Sequence, residues 1–150
     1  LAILLLLIGA TVFVKQVEIL LKLNPSQKTI ITPGLIFEKI NNLQQLNVLL
    51  LRAKKQKQPV MIKFSAEWCL ACKELAGTTF KNTEVVEAFK NFMLIEADVT
   101  NNDSSSKQLQ NKFGIFAPPS LVFINTNGQV EPDKTVTGYI SSDKLLQLAT

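Results

Sequence analysis

The chain has 150 residues, a length that suits one domain and allows a sizeable buried core. With 47% hydrophobic and only 19% charged residues it is not a disordered chain, and a net charge of +4 is too slight to argue for a nucleic-acid partner. Histidine is absent and there are two cysteines, Cys69 and Cys72. This excludes Ser-His-Asp and Cys-His catalysis, His-ligated zinc, and any four-cysteine zinc or iron–sulfur site within one chain.

Residues 1–14, LAILLLLIGATVFV, carry no charge. A helix that crosses the hydrocarbon needs about 20 apolar residues, so this run is short. The chain starts with Leu rather than Met, and the run reads as the tail of a transmembrane helix. A signal-peptide core lacks a basic region before it and an A-x-A-like site after it. A buried core helix is the third reading, although Leu1–Ile8 shows no polar face. Residues 15–34 mix Lys15, Lys22 and Lys28 with apolar residues, an interfacial pattern, and two Pro-containing breaks follow. They read as a juxtamembrane connector.

From residue 35 onward the pattern alternates. Leu35–Ile40 is expected as a short strand, followed by a helix capped by Asn42 and ended by Lys54-Lys55-Gln56-Lys57. Pro59–Ser65 reads as a strand, a helix opens at the cysteines, and another covers Thr83–Asn91. Phe92–Val99 is a buried strand, and Asp103-Ser104 caps a helix that runs to about Lys112. Leu121–Ile124 and Val130–Val136 read as a hairpin through Asn125-Thr126-Asn127-Gly128, and Ser141-Ser142-Asp143 opens a last helix. This is an α/β order with a mixed sheet.

The chemistry lies in Glu67-Trp68-Cys69-Leu70-Ala71-Cys72. A Cys-x-x-Cys that opens a helix after a strand is a redox motif, because the helix N-terminus stabilises the first thiolate. The second sulfur, one turn on, can close a ring with the first. A purely structural disulfide and half of a metal site are the alternatives. Such a short loop gives little chain-entropy stabilisation, and a metal would need ligands from elsewhere. Cys69 is expected to be the attacking and more exposed sulfur, and Cys72 the resolving one. Trp68 and Phe116 are expected on an apolar rim, with core packing as the alternative for either.

Phe64-Ser65-Ala66-Glu67-Trp68-Cys69 with Cys72-Lys73 resembles the thioredoxin superfamily signature. More narrowly, residues 68–74, Thr79-Phe80, Val85, Asp98–Asp103 and Val136–Tyr139 are similar to the C-terminal domains of bacterial DsbD thiol:disulfide interchange proteins. The resemblance covers about 35–150. It implies a thioredoxin-like α/β fold with a central mixed sheet flanked by helices, and a protein-disulfide reductase whose only redox group is the Cys69–Cys72 pair. It implies a domain in the periplasm, tethered to the bacterial inner membrane through the N-terminal segment. Electrons would come from a cysteine pair in the membrane core and pass to the N-terminal domain of the same protein, serving periplasmic disulfide isomerases and cytochrome c maturation factors. A free-standing membrane-tethered reductase of the cytochrome c maturation type is the alternative, and a thioredoxin-fold binding module with idle cysteines is a third reading.

Pro119 falls where the family carries a cis-proline facing the cysteines, and an ordinary extended Pro-Pro segment is the alternative. The preceding residue pairs its backbone with a partner peptide in relatives, but here it is Pro118, which has no N–H to donate. Two departures concern acids. Six residues before the first cysteine, where the family places an aspartate, stands Lys63, and seven residues after it, where a glutamate is common, stands Ala76. Strand alternation points Lys63 toward the face that the cysteine helix covers. Its readings are a cation that favours thiolate, a neutral base for Cys72, or a structural residue that pairs with a carboxylate such as Glu96 or simply reaches solvent.

Overall fold

The structure is a computed structural model and describes residues 33–150. The expectations for residues 1–14 and for the connector up to residue 32 lie outside the described residues. Among the described residues no helix is long and apolar enough to cross a membrane.

Five strands form one sheet in the order β1-β3-β2-β4-β5. They are β1 (Glu38–Ile40), β2 (Val60–Ser65), β3 (Met93–Asp98), β4 (Ser120–Ile124) and β5 (Val136–Thr137). The first three run parallel, β4 is antiparallel to β2, and β5 is antiparallel to β4. The sheet is mixed, as expected.

The helices are α1 (Leu43–Gln56), α2 (Leu70–Gly77), α3 (Thr83–Ala88), α4 (Ser104–Phe113) and α5 (Ser142–Leu148). Strand alternation divides the core into two layers. Val60, Ile62, Phe64, Met93, Ile95 and Ala97 pack with Leu46, Leu49 and Ala53 of α1 and Leu109 of α4. On the other face, Met61, Leu121 and Phe123 meet Leu75 of α2, Val85 of α3 and Leu145 of α5.

Caps fix where the helices begin. Asn42 accepts the N–H of Gln45, and Asp103 accepts the N–H of Ser106, each through its side chain. Lys57 in the left-handed region ends α1, with its N–H donated to the carbonyls of Ala53 and Lys54.

Three elements are shorter than expected. The first strand keeps only Glu38–Ile40, because Leu35 donates its N–H to the carbonyl of Phe80 instead of joining the sheet. The helix expected to reach Asn91 stops at Ala88, and the turn that follows brings the Phe89 and Phe92 rings together at 4.7 Å. The outer hairpin strand is broken. Val130 makes a single bridge to Ile124, then a 3-10 turn over Pro132–Lys134 intervenes before β5. Pro132 has no N–H for a ladder, so a continuous strand from Val130 to Val136 is not available. The turn itself forms, with Gly128 at φ 82° and the Asn125 side chain accepting the N–H groups of Asn127 and Gln129.

Candidate active site

Strand β2 ends at Ser65, and four residues later Cys69 stands at the N-cap of α2. Its Sγ accepts the N–H of Cys72 at 3.1 Å, so the orphan donor of the first helical turn points at this sulfur. The two cysteines are joined, with Sγ–Sγ 2.07 Å and Cα–Cα 5.3 Å. Once the bond is reduced, the helix N-terminus and that N–H favour thiolate over thiol at Cys69.

The expected contrast in exposure is slight. Cys69 is 6% and Cys72 4% exposed. What separates the two sulfurs is position: Cys69 is the cap that receives the N–H, and Cys72 lies inside the first turn.

Around the pair lie exposed apolar side chains. Trp68 is 60% exposed and Leu70 79%. The Trp68 indole is nevertheless held, because Nε1 donates to the carbonyl of Thr100 at 3.0 Å. Phe116 is 96% exposed, so it is not a core residue. Its neighbour Ile115 is buried in the cluster that contains both cysteines. The Pro118–Pro119 peptide is cis, Pro119 is buried, and Pro118 is half-buried.

The loop before Cys69 is fastened to the end of β3. The N–H of Glu67 donates to the Thr100 hydroxyl at 3.0 Å, and that hydroxyl donates to Asp98 Oδ1. Asp98 also accepts the Thr100 N–H, and its Oδ2 meets Lys39 Nζ at 2.9 Å. Burial pushes the Asp98 carboxyl up, but the hydrogen bonds from Thr100 and Lys39 outweigh it and hold the group below the ordinary aspartate value. The hydrogen bond to Asp98 correspondingly raises Lys39, although burial opposes this.

Behind Cys72 is a cavity of about 250 Å³, whose lining includes Lys63, Ala76, Glu96 and Asp98. Lys63 is 6% exposed, and its Nζ lies 2.6 Å from Glu96 Oε2. The ammonium also faces the Phe37 ring at 4.3 Å and the Phe80 ring at 5.6 Å. Lys63 therefore points to the cysteine-helix side, as alternation requires, and makes the ion pair that the sequence allowed. Ala76 brings no acid to this cavity.

The sequence motif locates the cysteines, Trp68 and Lys63, but it assigns no role to Thr100 or Lys39. An Asp followed two residues later by Thr is a local hydrogen-bonding signal that points to the Asp98–Thr100 turn. Lys39 has no comparable signal, since only the β1–β3 pairing brings it to Asp98.

A family model described as thioredoxin-like matches residues 41–126. Among curated proteins, the thiol:disulfide interchange protein DsbD of Vibrio cholerae is 33% identical over 128 residues, covering 85% of this chain and 21% of that protein. The DsbD of Salmonella typhimurium is 36% identical over 106 residues, covering 71% of this chain and 18% of that protein. The chain thus spans about a fifth of the length of these relatives. The crystal structure of the Neisseria meningitidis DsbD C-terminal domain in the oxidised form superposes with a TM-score of 0.64 at 27% identity, covering 73% of this chain and 95% of that one. With Cys69 capping the helix and joined to Cys72, the chain belongs to the thioredoxin-like family, as a thiol–disulfide oxidoreductase domain of the DsbD C-terminal type.

Proposed function

We propose that this domain receives electrons from a membrane-embedded cysteine pair and passes them to disulfide partners in the periplasm, tethered to the inner membrane by residues 1–34. The observation that carries the redox half of this reading is the capping geometry of Cys69, whose sulfur accepts the first-turn N–H beside exposed Trp68 and Leu70. The route of the electrons rests on the similarity to DsbD proteins.

In the reducing direction, the Cys69 thiolate attacks one sulfur of a partner disulfide. A Cys69–partner bond forms, and the other partner sulfur leaves as a thiolate that takes up a proton. Cys72 then gives up its proton and attacks Cys69 Sγ, which closes the Cys69–Cys72 bond and expels the second partner thiolate. Two electrons have moved to the partner, and the cysteines alone carry them, so the step needs no further cofactor. Pro118 has no N–H, so a docked peptide would pair with its carbonyl and rest on the exposed Trp68 and Phe116 side chains.

Trapping tests the reading. Cys72→Ala should accumulate a mixed disulfide with an N-terminal DsbD-type domain, whereas Cys69→Ala should accumulate none. Equal trapping by both variants would overturn the assignment of attacking and resolving sulfurs. Absence of insulin reduction by the unaltered protein would overturn the reductase reading altogether.

A further inference from the structure

Helix α1 buries one side and leaves two large aliphatic residues in water on the other. Leu46, Leu49 and Ala53 enter the core, while Val48 and Leu51 are 60% and 62% exposed. Val48, Leu51 and Lys55 follow one another at spacings of three and four, so they share one face of the helix. Leu51 also lines a cavity of about 380 Å³ together with Leu50, Lys54, Val60 and Ile124. The apolar face thus continues into a recess between α1 and β4.

The charge of this helix is one-sided. Its sequence, LQQLNVLLLRAKKQ, holds no Asp or Glu, and Lys57 follows as its C-cap. Arg52 is paired with Glu38. Lys54, Lys55 and Lys57 are exposed, and the ion pairs among the described residues lie elsewhere. Cations at a helix C-terminus suit the dipole, but that accounts for neither Val48 nor Leu51 in water.

We infer that this face of α1 rests on anionic phospholipid, with Val48 and Leu51 at the headgroup boundary and Lys54, Lys55 and Lys57 on the phosphates. The inference rests on the tethering by residues 1–34 proposed above, which keeps the domain within reach of lipid. The chemistry selects lipid over other occupants. Aliphatic side chains beside lysines are what an interfacial helix presents. A second copy would bring like charges together, and α1 has no aromatic ring on which a nucleic-acid base could stack. Docking leaves the cysteines free for partners. Val60 at the start of β2 lines the recess, and Ser65 at its end leads to Cys69, so the length of the strand, about 17 Å, separates the two sites.

The test places an environment-sensitive fluorophore on Val48→Cys in the full chain. Oxidised protein is used, because Cys69 and Cys72 are then joined and only the introduced thiol reacts. A second label on Asp143→Cys, in α5 against the other face of the sheet, serves as the control. Vesicles are phosphatidylcholine alone or a three-to-one mixture with phosphatidylglycerol. The Val48→Cys label should shift to the blue in the mixed vesicles and be quenched by brominated lipid, while the control label stays aqueous. Each lysine at an anionic surface raises the docked population about fivefold, so Lys54→Gln/Lys55→Gln/Lys57→Gln should cut the docked-to-undocked ratio on the order of 100-fold. Insulin reduction by that triple variant should be unchanged. Salt at about 1 M, where the screening length is about 3 Å, should also abolish the shift, and this arm decides if the triple variant fails to fold. An aqueous label in mixed vesicles would overturn the inference, as would an equal shift in phosphatidylcholine alone or without vesicles. Failure of the full chain to sediment with phosphatidylcholine vesicles would instead overturn the tethering reading, and the label in mixed vesicles would still decide the docking.

Discussion

Replacing Thr100 with Val tests whether the loop before Cys69 is held from the end of β3. Valine keeps the shape and removes the hydroxyl, which accepts the Glu67 N–H at 3.0 Å and donates to Asp98. The substitution leaves the Glu67 N–H without its partner, while Asp98 keeps the Thr100 N–H at 2.9 Å and Lys39 at 2.9 Å. An unsatisfied buried group costs about 1–3 kcal/mol, and the partial exposure of this loop lets water replace part of the loss, which puts the expected cost near ~1 kcal/mol. For a domain of this size that lowers Tm by about 3–6 °C. Calorimetry reads the stability, and the fluorescence of Trp68, the single tryptophan, reads the loop. Trp68 should change little, because its bond goes to the backbone carbonyl of Thr100, which valine retains. Thr100→Ser should restore the Tm. An unchanged Tm in Thr100→Val would refute the claim that the hydroxyl fastens the loop.

Asp98 gives a pH dependence with a definite sign. Its carboxyl is held below the ordinary value, so its stabilising contribution is full above about pH 3.9 and is lost as pH falls through the lower folded value. In urea titrations, Asp98→Asn should therefore be less stable than the unaltered protein at pH 7, and the gap should close in acid; a gap independent of pH would contradict the assignment. Phe116, at 96% exposed, should tolerate Ala with a stability change within about 0.5 kcal/mol. Attack on a small disulfide should be unaffected while mixed-disulfide formation with a protein partner slows, and equal rates with the protein partner would remove Phe116 from the docking surface.

Much of this was legible in the residues. Asn42 and Asp103 announce helix starts, and Asn125–Gly128 announces a turn, because each is a local signal read within a few positions. The Cys-x-x-Cys motif places the reacting sulfurs for the same reason. What local patterns miss depends on pairing at a distance. Leu35–Phe37 have strand-like composition, yet Leu35 spends its N–H on Phe80, some forty-five positions away. Val130–Val136 follows a hairpin turn, which invites a strand, and the missing N–H of Pro132 decides against a continuous one. Lys39 looks like a solvated residue of an edge strand until β1 is laid beside β3, which brings it to Asp98.

The charged cavity follows from a register that neither strand reveals alone. Because β2 and β3 run parallel, Met61 pairs with Leu94, Lys63 with Glu96, and Ser65 with Asp98. All six positions belong to the sheet face that Leu75 of α2 helps to cover, and the face changes from apolar to charged toward the strand ends. The opposite face does not change: Val60, Ile62 and Phe64 lie against Met93, Ile95 and Ala97 throughout. A slip of one residue in this pairing would set Lys63 opposite an apolar neighbour and leave its charge buried without a partner, at a cost of several kcal/mol. The Lys63–Glu96 pair thus helps to specify the register of the two central strands. Since α2 starts where β2 ends, the same register that satisfies the charges delivers a carboxylate to the cavity behind Cys72.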